Sequence, residues 1–220
     1  MKGIQLTGYG NPTDVVKLVD APDIGAPGPD EIVINIEAAP VEPSDLYTVA
    51  GIYGVLPPLP HFLGIQGVGR VSAIGRNVKH LKEGDRTITP LFTPSWVERV
   101  KTNSPWLRSL PNGDINQLAM LGINPATAYV VWSAMSGKPF NISGPPLLFR
   151  DQTIRGMWIY NWYKLLSPER ITAMYAELVP LVLSGELSFP IARQFSFEQY
   201  RDALGVAAKY SGKAILTPKG

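Results

Sequence analysis

The sequence predicts a mainly β fold with some helices, of the α+β class. Within residues 1–110, short runs alternate apolar and polar side chains, which is the period of a half-buried strand. The clearest run is EIVINIEAA, residues 31–39, where Ile32, Ile34 and Ile36 alternate with polar residues. Several short strands at such spacing are typical of a barrel or a sandwich. Further runs of this kind are GIQLTGY, VVKLVD, GRVSAIG, RTITPLF and WVERVKT.

One short helix is predicted inside this β-rich half. The segment EPSDLYTVAG, residues 42–51, has Ser44 and Asp45 near its start and Gly51 at its end. Ser and Asp are favoured N-cap residues because their side-chain oxygens accept hydrogen bonds from the first backbone N–H groups. We therefore expect Ser44 to cap this helix.

Helical signals become stronger from Asp114 onward. Asp114 is a good N-cap, and apolar residues follow it at helical spacing. The segment at residues 167–187 has Ser167 as its cap and Gly185 past its end. Pro180 should kink or divide this second helix, because proline removes one backbone donor and its ring clashes with the preceding turn.

The last part of the chain combines one further helix with strands. Ser196 and Gln199 form an S-x-x-Q capping box, which predicts a helix through SFEQYRDALGVAAKY. Residues 147–162, LLFRDQTIRGMWIYNW, are rich in apolar and aromatic side chains and are predicted to form a long strand. GKAILTP, residues 212–218, is predicted as a closing strand.

Composition excludes several classes of function. The 220 residues carry a net charge of +2, and no basic cluster indicates a nucleic-acid partner. The chain has no cysteine, and its two histidines, His61 and His80, show no metal-ligand spacing, so we expect no metal. No apolar run approaches the roughly 18 residues of a membrane span, and the start has no signal-peptide core. We therefore expect a cytoplasmic protein without a membrane span.

Gly67-Val68-Gly69 imitates the start of the G-x-G-x-x-G loop that binds a dinucleotide pyrophosphate. That loop requires a third glycine three residues after the second, and a helix behind it. Ser72 occupies the third position, and no amphipathic helix follows. We therefore expect both glycines to belong to a strand with a close backbone approach. No other glycine cluster precedes a long helix, so no Rossmann domain is predicted.

Four ordered segments in the first half resemble the medium-chain dehydrogenase/reductases, and most closely their zinc-free quinone and 2-enoyl thioester reductases. They are AAPVEPSDLYTVAGIYGVLPPLP, LGIQGVGRVSAIGRNV, LKEGDR and LGINPATAY. MSGKP, LLFRDQTIRGMW and GKAILTP in the second half are also similar to that family. Gln66 stands where many members have a glutamate close to zinc, which agrees with the zinc-free type.

The resemblance implies a GroES-like, partly open β-barrel catalytic domain with flanking helices. The family inserts a Rossmann domain after the segment that ends here at Tyr129, whereas only VVWSA separates Tyr129 from Met135. Residues 1–129 and 141–220 are therefore expected to form two parts of one catalytic domain. Residues 130–140 are expected to be a junction in place of the nucleotide-binding domain.

The resemblance also implies a proton donor, Tyr53. By itself, a tyrosine in a Gly- and Pro-rich loop is usually a turn residue with a half-buried ring. In the enoyl reductases, hydride addition to the β-carbon leaves an enolate that needs a proton at the α-carbon. A phenol stays protonated at neutral pH and can donate that proton.

Further residues are assigned by resemblance alone. Contacts to NADP(H) are implied for Asn124, Thr127, Ser44 and Phe149, and an acyl or quinone pocket for Trp158 and Trp162. All except Phe149 also have a structural interpretation: a loop-to-helix junction at INPATAY, a helix cap at Ser44, and core or subunit-contact tryptophans.

Two classes of function remain open. The first is the isolated catalytic domain of an NADP(H)-dependent reductase of enoyl thioesters, activated alkenes or quinones. We expect that domain to be inactive alone, because most cofactor affinity would lie in the missing phosphate-binding turn. The second is a non-enzymatic binding or assembly module, or a fragment that tests independent folding. Family dimers associate through the Rossmann domain, so an altered oligomeric state is expected.

Overall fold

Two β-sheets form the frame of the molecule in the computed structural model, which describes residues 1–125, 158–209 and 212–218. The smaller sheet has the order β2-β1-β4, with every pair antiparallel. Its strands are β1 (Lys2–Leu6), β2 (Val16–Asp20) and β4 (His61–Phe62).

The larger sheet is built around β3 (Ile32–Pro40), whose alternating isoleucines are buried. Its order is β6-β5-β3-β9-β8, and β7 also pairs with β3. The end of β3 pairs with β9 through Ala39 and Pro40, and β9 lies parallel to β8. The other strands are β5 (Val68–Ile74), β6 (Arg86–Ile88), β7 (Arg99–Thr102), β8 (Ile191–Ser196) and β9 (Lys213–Thr217).

The two sheets share one apolar core. Ile4 N donates to Trp96 O at 2.8 Å, and Ile36 N donates to Glu98 O at 2.9 Å, so the segment before β7 ties the sheets together. Trp96 is fully buried between them. Within the described residues the strands form no closed barrel, and the α+β class with a partly open β arrangement is confirmed.

Short helices and one long helix cover the sheets. They are α1 (Pro12–Val15), α2 (Pro43–Val49), α3 (Ile115–Leu118), α4 (Ile159–Lys164), α5 (Pro168–Ser184) and α6 (Tyr200–Ala207), the last preceded by a 3₁₀ turn at Phe197–Gln199. A further stretch of helical backbone begins at Asn124.

The capping signals located most helix ends correctly. Asp114 Oδ1 accepts from Asn116 N, and Ser167 Oγ accepts from Arg170 N. Gly185 adopts φ +80° at the end of α5. Ser196 N donates to Gln199 Oε1, which confirms the capping box.

Three sequence-based expectations need correction. Glu42, not Ser44, is the N-cap of α2, and Asp45 Oδ2 accepts from Glu42 N at 2.8 Å. Pro180 does not divide α5, which continues through it. The predicted strand at residues 147–162 is wrong for its last part, because residues 159–164 form α4; its earlier residues 147–157 lie outside the described part of the chain.

Candidate active site

Tyr53 lies in the loop after α2 and contacts a residue 105 positions away in the sequence. Trp158 Nε1 donates a hydrogen bond to the Tyr53 hydroxyl oxygen at 3.2 Å. The two rings meet edge to face, with centroids 5.7 Å apart, an arrangement that aromatic pairs favour. The structure therefore brings together two of the residues selected from the sequence.

The glycine after Tyr53 permits this contact. A Cβ atom on Gly54 would lie 2.9 Å from Cη2 of Trp158, closer than the indole ring allows. Two further aromatic rings extend this surface. The ring centroids of Trp158 and Tyr160 are 4.9 Å apart, and those of Tyr160 and Phe92 are 4.7 Å apart. The site thus has an aromatic wall with the Tyr53 phenol at its end and a second phenol, Tyr160, within it.

Burial raises the pKa of Tyr53 above its ordinary value, the Trp158 hydrogen bond opposes this, and the Asp45 carboxylate raises the pKa further. The phenol is therefore protonated at neutral pH. Trp158 uses its own N–H in the bond with Tyr53, so the phenolic hydrogen is not consumed by it. A neutral O–H group facing an apolar wall can donate a proton to a bound substrate.

A buried polar cluster lies beside this loop, centred on the carboxylate of Glu42. Gln66 Nε2 donates to Glu42 Oε1 at 2.9 Å, and Lys213 Nζ donates to Glu42 Oε2 at 2.5 Å. Glu42 is 3% exposed, and a buried carboxylate requires such partners. The cluster joins the start of α2 to β9, although these elements are far apart in the sequence.

Asn124 belongs to the same cluster. Its amide is best placed with the oxygen accepting from Lys213 Nζ and the nitrogen donating to Glu42 Oε1, each at 2.9 Å. This orientation gives two hydrogen bonds to charged groups, whereas the reverse gives one, from Gln66 Nε2. Gln66 Oε1 accepts from Ile123 N at 2.8 Å and fixes the backbone next to it. Both ends of the Asn124 amide are therefore engaged within the protein.

Asp45 adds a second buried carboxyl group on α2. Its Oδ2 atom accepts from the Glu42 backbone, whereas Oδ1 is buried without a partner among the described residues. Burial raises the pKa of Asp45 well above its ordinary value, and the Glu42 carboxylate raises it further, whereas the hydrogen bond from Glu42 N and the charge of Lys213 oppose the shift. Burial is therefore the main cause of the raised pKa of Asp45, and the neighbouring Glu42 carboxylate adds to it.

The remaining sequence-selected residues are placed less closely or lie outside the described range. Ser44 is a helical residue of α2 whose carbonyl accepts from Thr48. Trp162 packs edge to face on Tyr163 at 5.7 Å. Thr127, Phe149 and the junction at residues 130–140 lie outside the described residues.

The pair of glycines that imitates a nucleotide loop does not fit a phosphate. Gly69 is part of β5, as predicted, whereas Gly67 immediately precedes that strand instead of belonging to it. A Cβ atom on Gly69 would lie 2.2 Å from the Asn35 carbonyl oxygen, so neighbouring backbone occupies the space. Within residues 1–125, 158–209 and 212–218, the segment that most resembles a dinucleotide loop thus does not accommodate the phosphates of NADP(H).

The described residues also bear on metals and membranes. They contain no group of three or more His, Cys, Asp or Glu side chains that could hold a metal ion. In the same part of the chain, no helix has both the length and the apolar character needed to cross a bilayer.

Comparison with known proteins decides the family. The family model described as "Alcohol dehydrogenase GroES-like domain" matches residues 28–134. The mitochondrial enoyl-[acyl-carrier-protein] reductase of Mus musculus is 36% identical over an alignment that covers 95% of this chain and 86% of the relative. The chain is a medium-chain dehydrogenase/reductase. It belongs to the zinc-free enoyl and quinone reductase type of that family.

Coverage of the relatives differs between alignments. The mitochondrial enoyl-[acyl-carrier-protein] reductase of Arabidopsis thaliana is 34% identical over 58% of this chain, but only 34% of that relative is matched. The alignment with the Mus musculus reductase has 323 positions. Because this chain has 220 residues and 95% of them are covered, at least 103 of those positions have no counterpart here.

Solved structures show the same fold. An NADPH:quinone reductase from Bacillus thuringiensis has a TM-score of 0.80 at 20% identity, covering 98% of each chain. The complex of Etr1p with NADP and crotonyl-CoA has a TM-score of 0.78 at 18% identity, covering 98% of this chain and 99% of that one.

Proposed function

We propose that this chain is the substrate domain of an NADP(H)-dependent reductase of 2-enoyl thioesters, activated alkenes or quinones. Residues 1–129 and 141–220 would form one catalytic unit, and residues 130–140 would replace the nucleotide-binding domain. The hydrogen-bonded pair of Tyr53 and Trp158 carries this proposal, because it sets a neutral phenol against an apolar wall. The relatives that bind NADP and crotonyl-CoA support the substrate class.

Tyr53 would act as the proton donor. Reduction of an enoyl thioester at its β-carbon leaves an enolate, and the phenol would protonate the α-carbon. Trp158 would hold the phenol oxygen in place and stabilise the phenolate that remains, since its N–H already points at that oxygen. The aromatic wall of Trp158, Tyr160 and Phe92 would receive the apolar part of the substrate.

The chain alone would be inactive as a reductase. Tight dinucleotide binding requires backbone N–H groups around the pyrophosphate, and the described glycine segment offers packed backbone instead. Asn124, implied by resemblance as a nicotinamide contact, is engaged by Glu42 and Lys213. Reaction further requires the reacting atoms to be held at about 3–3.5 Å.

An NADPH oxidation assay with crotonyl-CoA or a quinone tests this proposal. We expect no turnover above background, and calorimetric titration with NADPH should show no tight binding. Enzyme-like turnover by the chain as it exists would contradict the proposed inactivity. Tight NADPH binding without turnover would contradict the argument from the glycine segment.

A domain insertion tests the role of Tyr53 separately. Placing the nucleotide-binding domain of a relative between Tyr129 and Met135 should restore turnover of crotonyl-CoA. In that fusion, Tyr53→Phe should lower kcat at least 100-fold, as general acids typically contribute a factor of about 10²–10⁴. Tyr200→Phe is the matched control and should have a small effect on kcat, because the Tyr200 hydroxyl donates to the Val16 carbonyl and not to the site.

A non-enzymatic binding or assembly module is the second candidate. The loop around Tyr53 exposes several apolar side chains, with Ile52 at 71% exposure, and exposed apolar patches often mark interaction sites. Sedimentation equilibrium measures the oligomeric state of the chain. We expect that the chain does not form the dimer of the family. A stable dimer in solution would contradict that expectation.

A further inference from the structure

We propose that a groove between residues 106–111 and helix α5 is a binding site for a small planar aromatic carboxylate. The groove has a volume of about 330 Å³, which lies at the lower end of the range for small-molecule sites. Tyr53 and Trp158 do not line it, so the proposal is independent of the reductase function.

The walls of the groove are fixed by hydrogen bonds and aromatic packing. Trp106 stacks on Tyr175 with ring centroids 5.6 Å apart and an interplanar angle of 19°. Leu110 N donates to Arg86 O at 2.7 Å. Thr172 Oγ1 on α5, which donates to Pro168 O at 2.9 Å, also lies 3.3 Å from Trp106 O. A preformed site loses less entropy when a ligand binds.

The lining favours a flat, apolar ligand. Trp106 and Tyr175 supply aromatic surface, and Ile88, Leu110 and Val179 supply aliphatic surface. Aromatic rings pack on such surfaces with gains beyond the buried area alone. A planar ring is therefore a better match than a strongly hydrated sugar or nucleotide.

Arg108 supplies a positive charge at the edge of the groove. Its NH1 atom donates to the carbonyls of Pro105 and Leu107 at 2.7 and 2.8 Å, which holds the side chain along its own loop. Both of these hydrogen bonds, the ones that Arg108 makes within the described residues, use its NH1 atom. The N–H groups of its other guanidinium nitrogens therefore remain for a ligand. Guanidinium groups match carboxylates in charge and in geometry.

Other titratable groups near Arg108 do not cancel its preference for a ligand carboxylate. The pKa of Glu169, at the start of α5, is lowered mainly by the hydrogen bond with Ser167 and least by the charge of Arg108. Burial, followed by the Arg108 charge, lowers the pKa of His80, which keeps His80 neutral at pH 7. The carboxylate of a ligand would therefore face one cation at this edge.

Pro180 removes one hydrogen-bond donor from α5. Proline has no N–H group, so the carbonyl of Ala176 lacks its usual partner four residues later in α5. Ala176 and Pro180 both line the groove. A ring hydroxyl on the ligand could donate to this carbonyl, which makes 4-hydroxycinnamate a suitable probe.

Titration with 4-hydroxycinnamate, followed by calorimetry and by NMR of the tryptophan indole N–H groups, tests the site. We expect saturable binding at one site, with the indole signal that disappears in Trp106→Phe shifting most. Ala176→Leu should weaken binding at least 10-fold because the new side chain enters the groove. Arg108→Gln should weaken the carboxylate at least 10-fold but leave binding of 4-hydroxycinnamamide unchanged.

Ala173→Leu is the matched control, because Ala173 is exposed on the same helix but does not line the groove. It should bind the probe like the unmodified chain, and urea midpoints should be similar for all variants. Absence of saturable binding to the unmodified chain would overturn the proposal. So would unchanged affinity in folded Ala176→Leu, or a largest shift at the Trp158 indole. If Ala176→Leu does not fold, the affinities of Arg108→Gln for the carboxylate and the amide test the proposal instead. Equal affinity of Arg108→Gln and the unmodified chain for the carboxylate would then overturn it.

Discussion

Tyr53 illustrates how one side chain acquires chemical character from distant neighbours. Its loop alone predicts a turn residue, and Trp158 alone predicts a core residue, but the two meet across the fold at 3.2 Å. Burial and the Asp45 charge keep the phenol neutral, while the indole N–H would stabilise its anion. The Tyr53 hydroxyl thus keeps its proton at neutral pH, and the indole N–H of Trp158 would donate a hydrogen bond to the phenolate once that proton is transferred.

Alkaline titration of tyrosinate absorbance tests this environment, with the Tyr53→Phe titration subtracted from that of the unmodified chain. The Tyr53 phenol should ionise above its ordinary range, because burial favours the neutral form. Trp158→Phe should raise its pKa further, since the hydrogen bond that stabilises the phenolate is lost. Trp162→Phe should leave it unchanged, and a lowered pKa in Trp158→Phe would contradict the assigned hydrogen bond.

At the residue scale, the sequence could indicate Tyr53 and Trp158 only through the family resemblance. The buried cluster around Glu42 was missed, because its members are separated by 24 to 171 positions. Two members gave a signal: the neutral amide of Gln66 departs from the family pattern, and the resemblance implies a nicotinamide contact for Asn124. Spacing along the chain does not reveal which distant donors converge on one carboxylate.

At the element scale, helix ends were predicted best where the cap is local. Ser167 and Gly185 delimit α5 through bonds and dihedral angles within a few residues. Helix α4 was assigned to a strand because isoleucine and aromatic residues favour strands in general. In the folded chain, Lys164 Nζ lies 3.8 Å from the Tyr160 ring centroid, a contact at helical spacing, and Trp158 is held by Tyr53. A local contact within the helix and a tertiary contact at its N-cap together outweigh the intrinsic preference there.

Two glycine-to-alanine substitutions should have opposite effects on the free energy of unfolding. Gly185 has φ +80°, so Gly185→Ala should destabilise the protein by about 1 kcal/mol. Gly205 lies inside α6 with open space at its Cβ position, so Gly205→Ala should stabilise it by about 0.5–1 kcal/mol. Urea unfolding measures both changes, and equal signs would be inconsistent with the assigned backbone conformations.

At the scale of the whole molecule, the Glu42–Lys213 ion pair fastens β9 to the first half of the chain. The side chain of Glu42 is 4% exposed and that of Lys213 is 20% exposed. The pair therefore lies in an environment where an unpartnered carboxylate is costly. It supports the pairing of β9 with the end of β3.

Lys213→Met should lower the free energy of unfolding by about 3 kcal/mol, because Glu42 is left buried without its cation. Adding Glu42→Gln should recover most of the loss, since glutamine is neutral and keeps a carbonyl acceptor. Lys2→Met, which breaks the exposed pair with Glu198, should have a smaller effect. An equal loss in Lys2→Met, or no recovery in the double variant, would argue against a dominant buried ion pair.

The position of β9 between β3 and β8 also affects how the protein is made. Ala39 and Pro40 pair with residues 215 and 216, so this end of β3 has no β9 partner while the ribosome adds more than 170 residues. Only when Lys213–Thr217 have left the exit tunnel can β9 enter and complete the sheet. During synthesis, the nascent chain therefore presents an open strand edge that chaperones would have to protect from pairing with other chains.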